Sequence, residues 1–191
     1  MCVLLSLFDP RQTLTPLSLS FSLFVTLLAT TPNATQICLA VQYLHAMNIL
    51  HRDLKTDNIF LMDNDLVKLG DFGLAQEMQR SFAVTVTGTP NYVSPEIVKG
   101  LAYDRKTDIW SLGVILCELC SRGGQPFNAN QGLMKLFSNI VNAPEAHVDG
   151  YYSEDLRDLY HGLLSKAPAD RPSIDDVLDT SVMRKVRVGW R

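Results

Sequence analysis

The chain has 191 residues, of which 47% are hydrophobic and 19% charged, with a formal net charge of -3. That length suits one domain of ordinary size, or a piece of a larger one, with enough chain to bury a core. Eleven Gly, nine Pro and four Cys exclude the collagen-like, disulfide-dense and wholly disordered classes, and the mild acidity offers no basic excess for a nucleic-acid partner, so none is expected.

The chain changes character along its length. Between Arg11 and Arg52 it carries no Lys, Arg, Asp or Glu, whereas both signs are interspersed from 52 to 191. The apolar stretch Leu14–Ala29 is diluted by Ser and Thr, broken by Pro16, and shorter than the roughly 20 apolar residues that span a bilayer. The start holds Asp9 and Arg11 rather than the positive start of a secretory signal. Residues 1–35 therefore read as an apolar, poorly ordered segment outside the fold, not as a membrane anchor, and a cytoplasmic location is expected. From residue 36 the period becomes helical. Ile37, Ala40, Val41 and Leu44 share one face of a helix that runs to about Met47 and that Asn48 ends. Ile59–Met62 and Leu66–Leu69 read as two short strands joined by the turn Asp63-Asn64-Asp65. Residues 107–120 begin with a capping-type Thr107 or Asp108 and run apolar on nearly every side, which predicts a central buried helix. Gly132–Asn142, Ser153–Leu164 and Ser173–Leu178 read as amphipathic helices, and SVMRKVRVGWR at the end as a solvated tail. Cys117 and Cys120, inside the apolar helix with no second Cys pair in step, read as buried small hydrophobes. The fold class is mostly α with one small hairpin.

The chemistry gathers between residues 51 and 96. His51-Arg52-Asp53-Leu54-Lys55-Thr56-Asp57-Asn58 lies between the first helix and the hairpin, and Asp71-Phe72-Gly73 closes the hairpin's other arm. Folding the hairpin brings Asn58 toward Asp71, two oxygen ligands of the kind Mg²⁺ takes, with water and phosphate oxygens completing the shell. Asp53 is then left as a base for a hydroxyl proton, and Lys55 offsets charge on a transferring phosphoryl group.

HRDLKTDN, DFG and the Ser-Pro-Glu at 94–96 resemble the protein-kinase signature set in order and spacing. Lys55 together with Gly88-Thr89-Pro90 resembles the serine/threonine branch. LGDFGLA, SFAVTVTGTPNYVSPEI and DIWSLGVILCEL resemble the NIMA-related family. The resemblance implies transfer of the ATP γ-phosphate to a Ser or Thr of a protein substrate, with Mg²⁺ as cofactor. It implies a catalytic set of Asp53, Lys55, Asn58 and Thr89, in which Thr89 bonds Asp53 and Lys55, and it puts Phe60 beneath the adenine ring beside the cofactor ligands Asn58 and Asp71. Structural parts fall to His51, Phe72, Asp108 and the ion pair Glu96–Arg171. Among the hydroxyls Ser81, Thr85, Thr87 and Thr89, a phosphate on Thr85 would face Arg52, making these two the regulatory pair.

The resemblance covers residues 36–191 and only the helical, C-terminal lobe of a kinase. The chain has no G-x-G-x-x-G, no V-A-I-K-like strand and no lysine before Lys55, so a kinase's N-terminal β-lobe is expected to be absent and the kinase domain truncated. Two function classes follow: a serine/threonine kinase, and a non-catalytic interaction module or gene-model fragment lacking the nucleotide clamp. A third, a membrane-tethered fragment using Leu14–Ala29, is testable by fractionation. The substrate protein and oligomeric state are not legible.

Overall fold

The computed structural model describes residues 32–62, 66–71, 76–77, 90–121, 124–148 and 152–188. Its elements run α1 (Pro32–Ala46), β1 (Ile49–Leu50), β2 (Ile59–Leu61), β3 (Val67–Leu69), β4 (Gln76–Glu77), α2 (Pro95–Val98), α3 (Lys106–Cys120), α4 (Leu133–Asn142), α5 (Glu154–Leu163), α6 (Ile174–Leu178) and α7 (Ser181–Val188), with 3₁₀ turns at Thr56–Asn58, Pro90–Tyr92 and Pro168–Asp170. The body is mostly helical.

Helix α1 opens at Pro32, four residues ahead of the expected boundary at 36, with a residue whose fixed φ suits a first turn. Its apolar stripe of Ile37, Val41 and Leu44 is buried. It stops where Asn48 takes the left-handed conformation, φ 57°, a place where Asn is better tolerated than most residues. Strands β2 and β3 pair antiparallel with Ile59 opposite Leu69, Phe60 opposite Lys68 and Leu61 opposite Val67. Their turn, 63–65, lies outside the described residues. A second ladder, β1 with β4, is only two residues long and pairs Ile49 with Glu77.

Helix α3 is the centre. Thirteen of its fifteen residues are buried, so neighbours cover it on every side. Trp110, wholly enclosed, stacks on Phe127 with ring centroids 5.5 Å apart and planes within 3° of parallel. Helix α5 crosses α3 at Gly113, where a Cβ would come within 2.9 Å of Leu163 Cβ and 2.8 Å of Leu164 Cδ2; only a residue without a side chain fits. Helix α5 is capped by Ser153, which accepts from Leu156 N–H, and α6 by a reciprocal box in which Ser173 and Asp176 satisfy each other's backbone.

Two expectations are corrected. Neither Thr107 nor Asp108 caps α3: the cap position falls on Arg105, whose side chain makes no capping bond, while Asp104 Oδ1 accepts the N–H of Lys106 at 2.8 Å. Both side chains are engaged elsewhere, Thr107 on Glu96 and Asp108 on the 51–52 backbone. Nor is 181–188 a solvated tail. It forms α7, and Met183 is buried in the common core; Trp190 lies outside the described residues.

Candidate active site

The loop that follows β1 is irregular, and its shape comes from a side chain on the central helix. Asp108 Oδ2 accepts His51 N–H at 3.1 Å, and its Oδ1 accepts Arg52 N–H at 3.0 Å. This allows Arg52 to sit at φ 68°. His45 of α1 adds a third contact, Nε2 to Asp108 Oδ2 at 2.9 Å. His51 is placed from both ring nitrogens. Its Nε2 lies 3.2 Å from Gly70 O, and its Nδ1 accepts Asp53 N–H at 3.3 Å, the pattern of a neutral ring. Burial holds the His51 imidazole below its usual pKa, outweighing the opposite pull of Asp108, the Gly70 carbonyl, Asp53 and Asp71.

The buried Asp53 then meets two partners on one oxygen. Lys55 Nζ lies 2.6 Å from Oδ2, and Asn58 Nδ2 donates to the same atom at 3.0 Å and to the Asp53 carbonyl at 2.8 Å. With its amide nitrogen committed twice, Asn58 has its side-chain oxygen as the atom of ligand type. Gly70 N–H donates to Asn58 O at 2.9 Å, extending the β2–β3 ladder by one step. Asp71 is the next residue after Gly70, exposed and left-handed at φ 57°. An amide oxygen and a carboxylate on adjacent strand ends are hard donors of the type Mg²⁺ takes, so the residues present fit such an ion. Phe60, half-buried, packs over Gly70: a Cβ there would stand 2.6 Å from Phe60 Cε2.

The remaining sequence-derived residues divide. Glu96 and Arg171 form a buried fork, with Nη1 to Oε1 at 2.8 Å and Nη2 to Oε2 at 2.7 Å, and Thr107 also donates to Oε1 at 2.9 Å. Burial pushes the Glu96 carboxyl up, but the Arg171 bonds and charge outweigh it and hold it below the ordinary carboxylate value. Arg171 further donates to the carbonyls of Lys106 and Ser165, so one guanidinium joins α2, α3 and the turn before α6. Arg52 lays its guanidinium 5.5 Å from the Tyr103 ring centroid. Phe72, Thr85 and Thr89 lie outside the described residues.

Sequence reasoning missed a polar network beside Lys55. Tyr92 Oη donates to Glu118 at 2.7 Å, Thr56 Oγ1 donates to Glu118 Oε2 at 3.2 Å, and the Gln125 amide bonds the same carboxylate. Burial raises the pKa of Glu118. One signal was available: Glu118 is the sole charged residue of α3 beyond its first turn. Cys117 and Cys120 are buried, and burial pushes the Cys120 thiol up to about 12. Among the described residues no group of three or more His, Cys, Asp or Glu converges as metal ligands, and no helix is long and apolar enough to cross a membrane.

Residues 22–183 match the family model of the protein kinase domain. The chain is 46% identical over 151 residues to the probable serine/threonine-protein kinase nek3 of Dictyostelium discoideum, covering 76% of this chain and 13% of that protein. It is 41% identical over 152 residues to the serine/threonine-protein kinase Nek1 of Mus musculus, with 78% and 12% covered. Against the serine/threonine-protein kinase Nek3 of Mus musculus the identity is 45% over 145 residues, with 75% and 28% covered. The chain thus spans well under a third of the length of these relatives. A matched family model over most of the chain, and a helical body that bends its 51–58 loop around one buried carboxylate, place it in the protein kinase domain family, among the NIMA-related serine/threonine kinases.

Proposed function

We propose that this chain carries the catalytic loop of an enzyme moving the ATP γ-phosphate to a Ser or Thr hydroxyl of a protein. The observation that supports it is the shared oxygen at Asp53: Lys55 and Asn58 both bond Oδ2, which fixes the carboxylate's rotation. Asp53 is the base that accepts the hydroxyl proton on the attacking Ser or Thr. Lys55, held against it, carries positive charge to the edge where phosphoryl oxygens would lie. Asn58 and Asp71 are the residues that would hold Mg²⁺, which when bound neutralises phosphate charge. Phe60 lies beneath the adenine, and Thr89 orients Asp53 and Lys55. Thr85, once phosphorylated, pairs with Arg52 as the switch. In this reading the residues from the start of α1 onward belong to the helical lobe, and the protein works in the cytoplasm, where ATP is supplied.

The test is transfer of labelled phosphate to a Ser/Thr protein acceptor in the presence of Mg²⁺. Asp53→Asn should lower the rate about 10²- to 10⁴-fold, the ordinary worth of a positioned base. An unchanged rate would remove Asp53 from the chemistry. A second reading draws on a different observation, that the 191 residues contain no glycine-rich loop, no V-A-I-K-like strand and no lysine before Lys55. A polypeptide of these residues alone should bind ATP orders of magnitude more weakly than a chain that supplies them and act as an interaction module, and a nucleotide titration separates the two.

A further inference from the structure

The start of α3 holds Arg52 by more than its backbone. Asp108, in the first turn, accepts the Arg52 N–H and keeps that residue left-handed at φ 68°. Five residues earlier, between α2 and α3, the half-buried Tyr103 sets its ring centroid 5.5 Å from Arg52 Cζ, within reach of a cation–π contact. The root of the Arg52 side chain is thus fixed by a carboxylate and its head by an aromatic face. Among the described residues the guanidinium makes no ion pair, and its Nε is buried with no hydrogen-bond partner. Buried Arg171 is the opposite case, spending its donors on Glu96 and on backbone carbonyls. A ring holds a guanidinium without consuming the N–H groups of its two terminal nitrogens, whereas a carboxylate would occupy them. A long side chain ordered in advance also loses less freedom when an anion arrives.

We propose that Tyr103 is a positioning residue for Arg52: its ring keeps the guanidinium ordered and leaves the terminal donors open to a phosphate monoester carried by the chain itself. The proposal rests on the reading of Thr85 as the phosphorylated switch that pairs with Arg52. Tyr103 acts through Arg52 and touches no reacting atom.

The test is NMR of the full chain carrying either threonine or phosphothreonine at position 85, with the Arg52 Nε–H signal identified by its loss in Arg52→Gln. In the unphosphorylated chain that signal should report an ordered side chain in wild type and in Tyr103→Phe, which keeps the ring, and a mobile one in Tyr103→Leu. In the phosphorylated chain a neighbouring guanidinium favours the dianion, so the phosphate, followed by phosphorus-31, should titrate below its ordinary second pKa of about 6. Tyr103→Leu should raise that value by about 0.5–1, a pairing roughly 3- to 10-fold weaker, and Tyr103→Phe should leave it at the wild-type value. Equal order of Arg52 in wild type and Tyr103→Leu would overturn the proposal. So would equal phosphate titration in those two chains at a value below that of Arg52→Gln, with the Thr85 assignment left standing. A wild-type phosphate titrating no lower than in Arg52→Gln would overturn the Thr85 assignment and this proposal with it.

Discussion

Arg171 sets the terms for Glu96, because its side chain is wholly enclosed and its charge has nowhere to hydrate. Glu96→Gln leaves that guanidinium without its counter-charge and should cost roughly 3–5 kcal/mol, read as a lower urea midpoint at an unchanged denaturant slope. The pair also makes a pH statement. The folded-state pKa of Glu96 is depressed, so its contribution is complete above the ordinary Glu value near ~4.3 and is lost as pH falls through the lower folded value. Acid titration of Glu96→Gln should therefore lack part of the wild-type stability loss in that window. At this scale a motif of fixed spacing set Asp53 and Asn58 in one loop, whereas the pairing of Glu96 with Arg171 was legible only through the family resemblance. The sequence was silent on Thr56, Tyr92 and Gln125, which meet at Glu118 from separate parts of the chain, a convergence no local pattern encodes.

Among the elements, the α3–α5 crossing leaves no room for a side chain at Gly113. Gly113→Ala would press on Leu163 Cβ, an atom that moves only with its backbone, and should cost about 1–3 kcal/mol of stability in urea unfolding. At the start of α6, Ser173→Ala removes the cap and should cost about 0.5–2 kcal/mol by the same measurement. Periodicity alone found α1, α4, α5 and α6 and both hairpin strands, because each has an apolar face or an alternating run. It missed α7, whose basic residues mask the buried Met183, and the β1–β4 ladder, too short for any period. The start of α3 was misread for a different reason: Thr107 and Asp108 are cap-forming residue types, but long-range partners claimed both side chains.

For the molecule as a whole, the alkaline limb of stability is set by groups that burial shifts in opposite senses. Cys38 and Cys120 are pushed up to about 12 and Cys117 also upward by burial, so above about 8.5 the unfolded chain gives up thiol protons that the native state keeps. Lys166 runs the other way: burial among Phe127 and Trp110 lowers it to about 8, so the native state releases its proton first. Three thiols against one ammonium leave the unfolded chain with fewer bound protons, and stability should fall as pH rises from about 8.5 to 10. Urea midpoints across that range check the sign, and Cys38→Ala should make the fall shallower.

The grip of Asp108 on two backbone amides reaches beyond shape. His51 and Arg52 stand in no helix or strand, where amide protons ordinarily trade with solvent through small local fluctuations. Here the acceptor belongs to the most enclosed helix of the body, so releasing either proton requires that helix to give way. Deuterium should thus enter these two positions about as slowly as it enters Val114 and Ile115, and a stretch that looks like a loop would report the opening of the core.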